Sequence, residues 1–266
     1  MLSVFYITNN PSVALIAEKA GVNRIWVDLE TLGKEERQKG INSVKSHHTI
    51  HDIEAIAPRL AKAEMLVRVN PWNENSREEI DQVIKAGAQI VMLPMWKSTA
   101  EVKNFIDTVG GRVKTTLLLE TKEAEECLDE VLEIQGIDEI HIGLNDLHLS
   151  YGLKFMFELL TNGTVERIIN RIKKKNIPYG FGGISHLGDG LIPAEMIIRE
   201  HYRLGSTRAI LSRGFCDQTK SLTEIKTTFE KNMAELRVFE SKINPAQFEE
   251  NRKELAKIVR AIVEEE

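Results

Sequence analysis

Four stretches of this chain repeat one layout, and the repeat limits its possible folds more than any other feature. They are AGVNRIWVDLE, AGAQIVMLP, QGIDEIHIGLND and LGSTRAILSR. Each opens near a glycine (Gly21, Gly87, Gly136 or Gly205), passes a few polar residues and ends in a short apolar run. A glycine just past a helix supplies left-handed backbone without a Cβ penalty. The runs that follow are too short for helices and rich in Ile and Val. They are continuously apolar rather than alternating, as in strands covered on both faces.

The remaining apolar runs complete a set of eight expected strands, near residues 2–7, 24–28, 65–69, 89–94, 114–119, 138–143, 178–184 and 207–212. Helical patterns lie between them. Asn10-Pro11 caps and starts one helix. Ser76-x-x-Glu79 and Ser98-x-x-Glu101 are capping-box sequences that open two more. Ala124, Cys127, Leu128, Val131 and Leu132 predict a helix with Cys127 on its buried stripe, a core thiol rather than a nucleophile.

Strict strand–helix alternation implies a parallel sheet, and eight units favour a closed (β/α)₈ TIM barrel over an open doubly wound sheet. A chain of 266 residues suits one such barrel. We expect the core over 1–216 and a helical extension over 217–266, packed on the barrel or on a neighbouring subunit. The last stripe, Leu255, Ile258, Val259, Ile262 and Val263, needs a surface to bury against, which points to a homo-oligomer.

The charge balance excludes several classes. With 35 basic against 40 acidic residues, mixed along the chain, there is no basic stripe for nucleic acid. The densest basic run, Lys173-Lys174-Lys175, falls at an expected helix end, where cations suit the macrodipole. Two cysteines argue against a disulfide framework or a Cys-rich zinc site. No segment reaches the ~20 apolar residues that span a membrane. The opening MLSVFYITNN lacks the pattern of an export signal, so we expect a cytoplasmic protein in which the Asn162-Gly163-Thr164 sequon is idle.

In such barrels the chemistry sits at the C-terminal ends of the strands. Those positions read Asp28-Leu29-Glu30, Arg68-Val69-Asn70, Glu120, Asn145-Asp146, Ser185-His186 and Ser212-Arg213. Carboxylates at an apolar mouth are costly unless paired or bound to metal. Glu120 and Asp146, with the other positions left to water, suit a hard cation such as Mg²⁺ or Mn²⁺. Equally, Arg68 could neutralise Glu120 or Asp146 across the mouth. Asp28 and Glu30 read as outer acceptors or turn caps. His47, His48 and His51 fall in a polar loop, His141 inside a strand, and His148 two residues past Asp146. The glycine-rich GFGGISHLGDG reads as a tight turn, with a phosphate site as the alternative.

These segments resemble a known family. LVRVNPWNENSREEIDQVIKAGAQIVMLPM, LLLET and IDEIHIGLNDLHLSYG are similar, in that order, to the HpcH/HpaI aldolase and citrate lyase β-subunit superfamily, from about residue 14 to 213. The resemblance implies a metal-dependent carbon–carbon lyase that handles a 2-keto acid and an aldehyde through a pyruvate-type enolate, and oligomers formed by exchange of C-terminal helices. It makes Glu120 and Asp146 the ligands of one Mg²⁺ or Mn²⁺. Arg68 becomes the cation beside the keto oxygen. Gly143, Leu144, Asn145 and Asp146 become the loop whose N–H groups hold the substrate carboxylate. Two departures leave the proton-transfer partner open: Thr31 stands where the aldolase branch has a histidine, and Leu118 where it has a glutamine. Glu30, His48 or a water on the metal could serve. Arg213, with Ser212, His186 and Trp72, would select the distal part of the substrate.

Three other functions fit the sequence. DLETLGKEER, with Lys34 and Arg37, leans toward the citrate lyase pattern and a CoA-thioester substrate. The glycine-rich stretch would serve a metal-independent enzyme for a phosphorylated substrate. The two departures would suit a barrel that binds a ligand without catalysis.

Overall fold

A computed structural model of the chain describes residues 1–33 and 47–265. The strands are β1 (Ser3–Ile7), β2 (Arg24–Asp28), β3 (Glu64–Arg68), β4 (Ile90–Leu93), β5 (Lys114–Leu119), β6 (Glu139–Ile142), β7 (Tyr179–Ile184) and β8 (Arg208–Leu211). All pair in parallel, each with its sequence neighbour, and β1 with β8 closes the barrel. Every expected strand is present, each boundary within two residues. Burial explains this legibility: β2, β4 and β6 are buried at every position.

Among the described residues, the helices between the strands are α1 (Pro11–Lys19), α2 (Ile50–Ile56), α3 (Ser76–Ala86), α4 (Thr99–Val109), α5 (Lys122–Glu126), α6 (Leu128–Val131), α7 (Leu144–Ser150), α8 (Glu158–Thr161), α9 (Thr164–Lys173) and α10 (Ala194–Leu204). Asn10 caps α1 as expected, accepting from the N–H groups of Ser12 and Val13. Ser98 and Glu101 form the expected reciprocal box on α4. The second box is absent. Asn75, not Ser76, precedes α3, and Ser76 is buried, where its Oγ accepts the Asn73 N–H at 2.8 Å. Glu79 is turned instead to Asn70, accepting from its side chain at 2.8 Å. The helix expected through Cys127 is also broken. Cys127 has ψ 7°, ends α5 and precedes α6, so its side chain is only half-buried.

Two layers of apolar side chains hold the fold. The larger lies between the sheet and the helices, with Ile25, Val67, Val91 and Leu117 facing Ile80, Phe105 and Ile168. The smaller fills the barrel with Phe5, Trp26, Leu66, Ile90, Met92 and Leu118. Two long helices follow the barrel, α11 (Leu222–Ser241) and α12 (Phe248–Glu265). The first packs on α1, the second on α8 and α10. Leu255 and Val259 are thereby buried within the chain, and Asn251 donates to the Met196 carbonyl of α10 at 3.1 Å. Ile258, Ile262 and Val263 of the same stripe pack against the core but stay partly exposed. No helix among the described residues is long and apolar enough to cross a membrane.

Candidate active site

Register decides which charged side chains meet. Asp28 and Arg68 are direct partners on β2 and β3, so both project into the mouth side by side. The Arg68 Nε and Nη2 donate to the two oxygens of Asp28 at 2.8 and 2.9 Å. Nη2 also lies 3.2 Å from Glu30. Burial works against the guanidinium's charge, but Asp28, Glu30 and Glu120 together raise its pKa. Its face covers the Trp26 ring at 5.1 Å. Arg68 therefore takes Asp28 and Glu30 as its ion-pair partners, rather than Glu120 or Asp146.

Glu120 follows β5 directly and is 3% exposed. Its Oε1 accepts the Met95 N–H at 3.1 Å. Its other oxygen lies against Gly143, where a Cβ would come within 2.8 Å. A side chain at 143 would displace the carboxylate, which gives this glycine a steric reason. Asp146 sits in the first turn of α7, and no side chain caps that helix start. Glu120 and Asp146 line one cavity of about 250 Å³, together with Met95, Lys97, Thr121, Glu123, Leu149 and Ser150. Burial first, and then the charge of Asp146, hold the Glu120 carboxyl well above its ordinary range, with Arg68 pulling the other way. Two acidic groups that repel inside a cavity form a place where a cation lowers the energy. Among the described residues no group of three or more His, Cys, Asp or Glu is set to hold a metal. The donor set is thus two carboxylates, which fits a hard divalent ion that keeps other oxygen ligands and does not fit a structural zinc site.

The remaining expected residues divide. His48 reaches the mouth, where its Nδ1 accepts the Asp28 N–H at 3.0 Å. A backbone N–H only donates, so that lone pair is occupied, and the neutral ring carries its hydrogen on Nε2. Thr31 and Leu32 both donate to Asn70, tying the loop after β2 to the end of β3. Arg213 is exposed in a short turn after β8, Asn145 is exposed, and Leu144 is buried. His148 turns into its own helix, with Nδ1 3.2 Å from the Leu144 carbonyl, and does not line the cavity. His186 lies on the loop after β7, 3.7 Å from Asp189, and Trp72 packs at the core's edge. His141 is buried inside the barrel, where burial pushes its pKa down to about 4. Lys34 and Arg37 lie outside the described residues.

The first glycines of GFGGISHLGDG form neither a turn nor a phosphate cradle. Gly180, Gly182 and Gly183 belong to β7. A Cβ at Gly180 would lie 2.8 Å from the His141 ring, and one at Gly182 would lie 2.7 Å from Leu144. Missing side chains there make room for neighbours from β6, β8 and α7, the nearest to Gly180 being the Arg208 carbonyl, 2.5 Å from where a Cβ would lie.

Met95 and Thr121 were not singled out by sequence reasoning, and Asp28 was read only as an outer acceptor or turn cap. The run L-P-M held the signal for Met95 but carried no chemistry of its own. Only the approach of β4 to β5 gives it a role.

A closed parallel barrel with acidic groups gathered where its strands end defines a (β/α)₈ protein with its candidate site at the usual catalytic face. The chain belongs to the HpcH/HpaI aldolase/citrate lyase family, whose model matches residues 2–178. It is 24% identical over 147 residues to a hydroxypyruvate/pyruvate aldolase of Roseovarius nubinhibens, covering 41% of this chain and 55% of the other. It is 27% identical over 133 residues to the 2-keto-3-deoxy-L-rhamnonate aldolase of Escherichia coli K12, covering 38% and 48%. The chain thus spans about half the length of these curated relatives. Among solved structures, an HpcH/HpaI aldolase from Desulfitobacterium hafniense has a TM-score of 0.62 at 16% identity, covering 92% of this chain and 94% of that one. At that identity the likeness speaks for the fold alone.

Proposed function

We propose that this chain is a divalent-metal-dependent aldolase that makes or breaks a carbon–carbon bond next to a 2-keto acid, through a pyruvate-type enolate. The observation that carries the reading is buried Glu120 and half-buried Asp146 sharing one cavity. These two residues would hold one Mg²⁺ or Mn²⁺, which when bound supplies Lewis-acid polarisation of the keto group. Aldolase relatives support the reaction class.

The chain's own residues divide the remaining work. Arg68 presents fixed positive charge toward the oxygen that turns negative as the enolate forms. Such preorganised charge contributes on the order of 10²–10³ in rate per donor. Asp28, held bidentate, keeps the guanidinium from swinging. The N–H groups of Leu144, Asn145 and Asp146 take the substrate carboxylate at the start of α7, whereas the expected Gly143 N–H is held by the Leu119 carbonyl at 2.9 Å. Glu30, beside Arg68, is the proton acceptor for the hydroxyl of the departing fragment. His48 is a donor rather than a base, because taking a proton on Nδ1 would break its contact with the Asp28 N–H. Arg213 is kept as a group that reads the distal end of the substrate.

The test is an aldol-cleavage assay that follows pyruvate release, with chelator and then with added Mg²⁺ or Mn²⁺. Activity should vanish with chelator and return with either ion. Full turnover in excess chelator would remove the metal from the reaction. A CoA-thioester lyase is the second reading, favoured by the citrate lyase half of the family's description. Inhibition by free CoA would support it.

A further inference from the structure

Met95 is the main-chain anomaly of the mouth. Among the described residues only Met95 and Asn176 have positive φ without being glycine, at 52° and 55°. Asparagine tolerates that region, and Asn176 sits in a turn between α9 and β7. Methionine has no such preference, so its conformation at 95 must be imposed by its neighbours. Trp96, fully buried, anchors the chain on one side, and Pro94 precedes on the other. Two hydrogen bonds then join consecutive residues across the gap between β4 and β5. The Met95 N–H donates to Glu120 Oε1 at 3.1 Å, and the Thr121 hydroxyl donates to the Trp96 carbonyl at 2.9 Å. Gly143 packs against the same carboxylate from β6's end.

We propose that Met95 is a positioning residue of the site: its left-handed backbone aims an N–H at Glu120 and fixes that carboxylate for the shared cation. The inference rests on the cation reading above and adds to it the source of Glu120's orientation. Strain is tolerated here because the alternative, a relaxed turn, would point the N–H elsewhere and leave a buried carboxylate oxygen without its donor. The role belongs to the backbone, so the methionine side chain is dispensable while the φ value is not. Partners that orient a ligand in this way change metal affinity by about 10–100-fold when lost.

The experiment titrates Mn²⁺ into the full-length chain and reads bound ion by electron paramagnetic resonance, with folded fraction checked by circular dichroism. Four proteins are compared: wild type, Met95→Gly, Met95→Ala and Met95→Val. Glycine takes positive φ without cost, alanine matches methionine's backbone preference, and β-branched valine resists it. The inference predicts wild-type affinity, within about twofold, for the glycine and alanine variants, and a loss of about tenfold or more for valine. Equal affinity in a folded valine variant would overturn the inference alone. A loss in the glycine or alanine variant would also overturn it by giving the role to the side chain, and that arm stands even if the valine variant does not fold. No Mn²⁺ bound by wild type would overturn the cation reading itself, and this inference with it.

Discussion

The two ends of the barrel handle buried charge in opposite ways. At the floor, where strands begin, Arg24 spans Glu139 with two nitrogens and reaches Glu64 at 3.0 Å, while Arg208 reaches Glu139 at 2.7 Å. Burial alone would raise Glu139, yet the two guanidinium groups hold it below its ordinary value. At the mouth, Asp28, Glu30 and Glu120 gather near Arg68, Asp146 faces Glu120, and Glu120 is held above its ordinary value. A carboxylate matched by cations serves stability. One left under repulsion in a cavity is kept in spite of stability, and that is the mark of a site with a task.

The largest test of this contrast is Arg68→Ala. It should lower turnover by about 10²–10³-fold, read as kcat/KM for pyruvate release, while the barrel persists in circular dichroism. Glu120→Gln should lose comparable activity and yet melt no lower than wild type in chelator, because it removes a repelled charge. A marked fall in its melting temperature would break the contrast. Glu139→Gln should do the reverse. Leaving Arg24 and Arg208 without that charge costs about 3–5 kcal/mol in denaturant unfolding, with kcat of the folded fraction unchanged.

The pH dependence sharpens the same comparison. Glu139 is held below 4.5, so its contribution is fully present above pH 4.5 and is lost as pH falls through its folded value. The stability gap between wild type and Glu139→Gln should close in acid. Glu120 is held well above 4.5, so in chelator its contribution is present below pH 4.5 and lost as pH rises through its folded value. The gap between wild type and Glu120→Gln should open in the opposite direction. Smallest of all, Ser98→Ala removes the side-chain cap of α4, which belongs to neither charge cluster, and should cost about 1 kcal/mol.

The sequence made the architecture readable because buried parallel strands announce themselves in continuous runs such as IVML and EIHI. The residues of the mouth were readable for the same reason, since the strand ends fix where to look. Their partners were not. Asp28 and Arg68 are 40 residues apart and meet only through strand register. Met95 and Glu120 meet through a backbone N–H, which no residue type signals. The Ser76 box failed because a turn through Asn73 and Asn75 starts the helix one residue earlier, and Asn70 competes for Glu79. The glycines of β7 resembled a loop because strand glycines carry no pattern; their purpose lies in His141 and Leu144.

The most direct measurement is a calorimetric titration of Mg²⁺ with oxalate, a mimic of the pyruvate enolate, into the wild-type chain and into Glu120→Gln and Asp146→Asn. Cooperative, saturable binding in wild type that is lost in both variants is the predicted result. Heat of binding that is absent in wild type, or that survives loss of either carboxylate, would contradict the idea that these two side chains share an ion.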